Sequence, residues 1–393
     1  MGKSYKNISN TLDQNNKNTH LSRSPNFEIL RVLAMLFIVF WHFNIHGIMH
    51  NLSGKAIFVI YKSPISYINY FLSEYIMIIC SISVNCYVLI SGYFLVKIPF
   101  KFNRITKIWF QTLFYSIIIC ITFHIFMPNT IGIKEIMKSC TPIRSNEYWF
   151  ITKYLGMIAL SPLLSKIAIV ITKKEYKILL LILSILNITF YSNIPFGNIY
   201  GGPNSLMWFI FLFFVAGYIR LYKFSLPKWN YGILFTLFSF IIFLTIISKA
   251  LIEVIILKNN ISYMGISYNG LCFFLSLFLF LWFQKHNFKK NIINDLIVKI
   301  APYTLGIYLI HDNRYMRSFL WYSGIDFDKY LNSSLLIPLM FSFSIPIFLA
   351  CAFIDFIRSK IFIYLQINTL IDFTNSRLEK FSKKIFLIID KNT

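Results

Sequence analysis

The chain has 393 residues, 57% of them hydrophobic and 13% charged, against roughly 45–50% and about 25% in ordinary soluble domains. Its 42 Phe and 24 Tyr, set in apolar runs throughout the chain after residue 26, exclude a disordered chain, a collagen, a coiled coil and a dedicated nucleic-acid-binding domain. The excess of 38 Lys and Arg over 15 Asp and Glu fits the cytoplasmic loops of a multi-span membrane protein, where positive charge collects, better than a nucleic-acid partner.

Residues 1–26 form a polar, Asn-rich tail, and the apolar stretch that follows has no small-residue cleavage site, so it is expected to be a retained helix rather than a signal peptide. Hydropathy predicts an all-α, polytopic membrane bundle of about ten transmembrane helices. They are centred on 27–45, 75–96, 106–127, 148–170, 177–192, 206–222, 231–248, 266–284, 300–315 and 334–357. Placing both termini in the cytoplasm puts most Lys and Arg on the inner side, including Lys97, Lys101, Arg104 and Lys107 after the second span. Residues 27–357 are therefore read as one membrane domain. Residues 358–393 mix apolar pairs with Lys380, Lys383 and Lys384, as an amphipathic helix lying on the membrane lipid would. The six cysteines lie mostly in apolar runs without CxxC or metal-ligand spacing, which reads as buried thiols. Nothing in the sequence fixes an oligomeric state.

The first span, FEILRVLAMLFIVFWHFNIH, holds Glu28, Arg31 and His42. At about 100° per residue, the step from Arg31 to His42 is three turns plus about 20°, so the two share a stripe and stand about 16 Å apart along the axis. Glu28 joins that stripe. An arginine at the inner edge and a histidine deep in the membrane, facing the bundle, would line a path across it; the competing readings are a snorkelling anchor for Arg31 and a core imidazole for His42. His46 and His50 continue from His42 at four-residue steps, but Gly47 is expected to break the helix and no carboxylate or cysteine lies nearby in sequence. No metal site is expected.

These residues carry a resemblance. NFEILRVLAMLFIVFWH is similar to the opening helix of the membrane acyltransferase 3 family, marked by a basic residue, ten others and a histidine, here Arg31 and His42, with an acidic residue three before the arginine, here Glu28. SVNCYVLISGYFLV resembles the next family helix, closing in Ser91, Gly92 and Tyr93. KFNRITKIW resembles the basic opening of the third, with Arg104 and Lys107 at the basic positions and Asn103 where many members have a second arginine. EYWFITKYLGMIALSPLLSK, with Trp149, Tyr154 and Pro162, is similar to the fourth, and TLGIYLIHD to a late helix ending in His311.

The resemblance implies transfer of an acyl group, often acetyl from cytosolic acetyl-CoA, to a sugar hydroxyl of a bacterial cell-surface polysaccharide or its lipid-linked precursor. It places the protein in the bacterial cell membrane, with acyl-CoA as a donor substrate and no permanently bound cofactor. Under it, Arg31, Lys101, Arg104 and Lys107 would meet the anionic nucleotide end of the donor. His42 would act as general base or as a transient acyl carrier, with Glu28 pairing Arg31 or favouring the helix N-terminus. At the outer side, Glu147, Tyr148, Trp149, Lys153 and His311 are candidates for acceptor binding, the aromatics as exposed stacking surfaces. Asp312 follows His311 directly and on a helix would face away from it, so no pair is expected from that dipeptide. Ser91 and Gly92 read as a close-approach surface between helices. Transfer of another acyl group, N-acylation of an amino sugar, and a polysaccharide flippase, polymerase or exporter are the alternatives. No Gly-x-Ser-x-Gly, Walker or HExxH pattern is present.

Overall fold

A chain in hydrocarbon must satisfy its backbone polar groups within each segment, and every regular element described by the computed structural model is helical. The structure describes residues 25–48, 63–127, 131–189, 205–226, 229–256, 269–289, 291–322 and 327–392. Among these residues seven helical stretches are long and apolar enough to cross a membrane, and two shorter apolar helices accompany them. The chain is a multi-pass helical membrane protein.

Helix α1 (Pro25–His42) starts on a proline and carries Glu28 in its first turn, both favourable at a helix N-terminus. It packs against six other helices, which is why it is apolar on all sides rather than along one stripe. The helix does not break at Gly47 as expected: it continues past His42 as a π turn, Phe43–Ile48, which keeps the His46 ring beside that of His42, centroids 5.2 Å apart. His50 lies outside the described residues.

Helices α2 (Pro64–Ser81) and α3 (Ser83–Leu95) form one stretch of 32 residues, about 48 Å long at 1.5 Å per residue. The span predicted at 75–96 captures only part of it. Ser63 caps the N-terminus by accepting from the Ser66 amide at 3.2 Å, and Pro64 starts the helix ahead of the hydropathy peak. Helices α4 (Phe102–Phe126), α5 (Ile133–Cys140) and α6 (Trp149–Val170) follow. A capping box between Thr172 and Glu175 opens α7 (Lys173–Ser184); with the π turn Ile185–Thr189 it occupies the predicted 177–192 region and falls short of the long apolar helices.

Helix α8 (Leu206–Tyr222) is buried from Trp208 to Ile219 except at Ile210. Gly92 makes this possible: a β-carbon there would stand 2.9 Å from the Phe213 Cα, so the glycine admits the α8 backbone against α3. The neighbouring Ser91 hydroxyl donates to the Tyr87 carbonyl at 2.9 Å and bonds the Tyr154 hydroxyl at 2.7 Å, consistent with a packing role for the pair.

After α9 (Tyr231–Leu251) and α10 (Asn269–Lys285) comes a discontinuous span. It consists of α11 (Ile292–Ile300), a 3₁₀ turn at Ala301–Tyr303 that contains Pro302, and α12 (Thr304–His311). The predicted 300–315 is thus shifted: the helix enters earlier and ends at His311. Short α13 (Arg314–Arg317), long α14 (Leu336–Tyr364) and α15 (Ile367–Asn392) complete the chain. The Thr106 hydroxyl donates to Asn375 Oδ1 at 2.6 Å, seating α15 on α4.

Candidate active site

The end of α12 decides the site. The helix stops at His311, and Asp312 takes φ −97°, ψ 6° as the residue after it. Asn313 is extended and caps α13, its side chain accepting from the Tyr315 amide at 3.0 Å. Two consecutive residues on a helix face apart, but here the second has left the helix, so His311 and Asp312 both reach His42. The expectation that this dipeptide supplies no pair is overturned by that termination.

His42 is 3% exposed and His311 fully buried. His42 Nδ1 lies 2.8 Å from His311 Nε2, and His311 Nδ1 lies 2.6 Å from the Ile307 carbonyl oxygen. A carbonyl only accepts, so His311 Nδ1 carries a proton; a neutral His311 then accepts at Nε2, and His42 donates from Nδ1. The lone pair of a neutral His42 is thereby assigned to Nε2. That atom faces Asp312 Oδ1 at 3.7 Å, and His46 Nε2 approaches the same oxygen at 3.8 Å. Arg317 Nε stands 3.5 Å from it. Burial alone would raise the Asp312 carboxyl, which sits just past the end of the spanning helix, but His42, His46 and Arg317 together hold it below the ordinary carboxylate range.

His42, His46 and Asp312 place three metal-ligating atoms within 4.8 Å of one another. No carboxylate lies near these histidines along the chain; Asp312 supplies one from a distant segment. A cation there would share Oδ1 with the Arg317 guanidinium, which opposes it.

Asn313 ties this cluster to the residues before α6. Its Nδ2 donates to Glu147 Oε1 at 3.0 Å and to the Tyr148 hydroxyl at 2.8 Å. Tyr148 in turn donates to the Leu309 carbonyl at 3.0 Å and is fully buried, so it braces the last turn of α12 rather than presenting an exposed face to a sugar. Glu147 accepts from Ser116 at 3.3 Å and lies 3.7 Å from Arg314 Nε. Burial pushes its carboxyl above the ordinary range, with Arg314 opposing. Trp149 is partly buried edge-on to Phe150, and half-buried Lys153 forms no hydrogen bond or ion pair among the described residues.

The remaining sequence candidates lie at the other end of α1. Arg31 Nη1 pairs with Glu28 Oε1 at 2.5 Å, the arginine side chain 29% exposed and the glutamate 5%. The Tyr87 hydroxyl donates to the Arg31 carbonyl at 2.9 Å. Arg104 is half-buried within electrostatic range of Tyr154, whereas Lys101 and Lys107 are exposed. The structure therefore brings His42, His311, Glu147 and Tyr148 together through Asn313 and keeps the basic candidates apart from them. Sequence reasoning missed Arg317 and Asn313; an Asp-Asn pair directly after an apolar helix was the available signal for a turn and a new cap.

The sequence model of the acyltransferase 3 family, described as an acyltransferase domain, matches residues 24–354. The chain belongs to that family. The match contains α1 with its Arg31 and His42 and the α12 turn with His311 and Asp312, so both halves of the buried cluster fall inside an acyltransferase domain. Curated proteins and solved structures give no match to the chain.

Proposed function

We propose that this membrane acyltransferase moves an acetyl group from cytosolic acetyl-CoA to a hydroxyl of a bacterial cell-surface polysaccharide or its lipid-linked precursor, with His42 as general base. The supporting observation is the bonded series His42–His311–Ile307 carbonyl, which leaves Nε2 of His42 as the basic atom beside a buried carboxylate.

A sugar hydroxyl is a weak nucleophile until its proton is taken. In the proposed step, His42 Nε2 accepts that proton as the oxygen attacks the thioester carbonyl. The C–S bond then breaks, and the imidazolium returns the proton to the leaving thiolate, giving an ester and free coenzyme A. Positioned general-base catalysis of this kind contributes about 10²–10⁴-fold. Asp312 supports the imidazolium through its charge from the Nε2 side, and His311 on Nδ1 holds the ring in one tautomer; in the Ser-His-Asp arrangement a single carboxylate on Nδ1 does both.

In this reading the donor enters from the Pro25 end, which faces the cytosol, and its arm follows the stripe from Arg31 past Ala34, Met35 and Ile38 to His42, about 16 Å of helix. The protein purified in detergent is expected to consume labelled acetyl-CoA and to transfer the label to acceptor glycan, and His42→Ala is expected to abolish transfer while still inserting in the membrane. Full activity in that variant removes His42 from the mechanism. Glycan movement without thioester consumption by the unmodified protein would replace transfer by transport.

A further inference from the structure

At the end of the bundle opposite His42, three separate parts of the chain converge on a cavity of about 450 Å³. Lys97 follows α3, Arg220 and Lys223 stand at the end of α8, and Gln284 and Lys285 close α10, with Tyr93 between them. The volume is within the range of small-molecule sites, about 300–1,000 Å³. Four cations line it, and none pairs with a carboxylate among the described residues. The positive-inside tendency accounts for lysines near this membrane face. It does not require cations from distant segments to share one concavity, where they repel each other unless an anion enters.

The polar groups inside the cavity have unspent donors. Arg220 Nη1 donates to the Tyr93 hydroxyl at 3.0 Å, with the guanidinium 4.7 Å above the Tyr93 ring, and Gln284 Nε2 donates to the same hydroxyl at 3.3 Å. With both lone pairs of that oxygen engaged, its own proton has no acceptor among the described residues, although Tyr93 is only 7% exposed. Arg220 Nε is buried without a hydrogen-bond partner among the described residues. Ser225 and the Gln284 carbonyl add acceptors, and Lys285 also lies over the Tyr231 ring at 4.8 Å, but every charged group of the lining is a cation and a donor, so the ligand that matches it is multiply anionic and rich in acceptors. The cavity also adjoins the first turn of α1: the rings of Tyr93 and Phe27 are 5.3 Å apart, which sets it about 22 Å below His42 along the helix.

We propose that this cavity is a phosphate site, binding the phosphate esters of an anionic ligand that arrives at the Pro25 end of the bundle. Two sources share that chemistry: the nucleotide phosphates of coenzyme A, which rests on the donor reading above, and the headgroup of an acidic phospholipid. For the first source, the cavity rather than the exposed row of Lys101 and Lys107 holds the phosphates.

The test uses the full chain in phosphatidylcholine nanodiscs. Equilibrium binding of labelled coenzyme A, with inorganic diphosphate as competitor, is compared for wild type, Arg220→Gln, the double variant Lys97→Gln/Lys223→Gln, and Lys177→Gln, an exposed lysine on α7. In parallel, phosphatidylglycerol retained by each protein after detergent extraction is measured by mass spectrometry. The double variant alters only exposed side chains and keeps the test valid if Arg220→Gln folds poorly. Loss of charged hydrogen bonds is expected to weaken coenzyme A binding about tenfold or more in both pocket variants, with diphosphate competing, and to leave Lys177→Gln unchanged. No coenzyme A binding by wild type, with phosphatidylglycerol retained by wild type and lost from the pocket variants, keeps the phosphate site and removes the donor reading. Coenzyme A bound equally by wild type and the pocket variants, with lipid retention also unchanged, overturns the site and leaves the donor reading standing. Neither ligand bound by any of the proteins overturns the site as well.

Discussion

Replacing Asp312 by asparagine keeps the shape of the side chain and removes its charge, 3.7 Å from His42 Nε2. At an effective dielectric of about 20, two unit charges at that distance interact by about 4.5 kcal/mol, and at the value of bulk water by about 1 kcal/mol. Arg317, 3.5 Å from the same oxygen, offsets part of the carboxylate field, which places the loss inside that interval. At 1.36 kcal/mol per tenfold in rate, Asp312→Asn is expected to lower kcat between about tenfold and a thousandfold. The imidazolium exists only after proton transfer has begun, so KM for acetyl-CoA is expected to change little. Steady-state kinetics of acetyl transfer by the purified variant, with its folding checked by thermal unfolding in detergent, gives both constants. A variant with wild-type kcat refutes the electrostatic role of Asp312, and one whose loss lies entirely in KM moves Asp312 from stabilising the base to binding substrate.

Three further outcomes are expected, the first from the sequence reading of the donor's anionic end and the others from the packing and burial of particular residues. Arg104→Ala is expected to raise the acetyl-CoA concentration needed for half-maximal rate more than it lowers the maximal rate; an unchanged donor dependence in initial-rate measurements returns that arginine to topology alone. Gly306→Ala would put a β-carbon 2.1 Å from Asp355 Cγ, and Asp355 is held by Gln111, Tyr115 and Arg358. Overpacking of this kind costs about 1–3 kcal/mol or more, so the unfolding midpoint in detergent should fall, and an unchanged midpoint would show that α12 and α14 separate without cost. Glu147 has its carboxyl raised by burial, so the folded protein holds that proton more tightly than the unfolded chain. Its contribution is therefore most favourable below the ordinary value of about 4.3 and is lost as pH rises through the raised folded value. The stability of wild type relative to Glu147→Gln should decline across that window in thermal unfolding against pH, and parallel curves would contradict it.

The helical membrane class and the candidacy of His42 were legible in the sequence because composition and 3.6-residue periodicity are properties of one segment at a time. So was the close approach at Gly92, where the missing side chain is itself the signal. Pairing between segments has no such local trace. His42 and His311 are 269 positions apart, and the sequence could nominate each without joining them. The helix geometry that separates Asp312 from His311 holds only inside a helix, and the turn at which α12 gives way to the Asn313 cap is set by what its last turn packs against, including the buried Tyr148 hydroxyl on the Leu309 carbonyl. Sequence alone points to an exposed interface for Tyr148 because aromatics gather there; Asn313 and α12 pack over it and bury it in the bundle. The four-cation cavity is the plainest case. Its lysines and arginine read singly as loop charges, and only the packing of α3, α8 and α10 turned them toward one space. Local chemistry determined which residues could act, and the ends and contacts of helices far apart in the chain decided which of them meet.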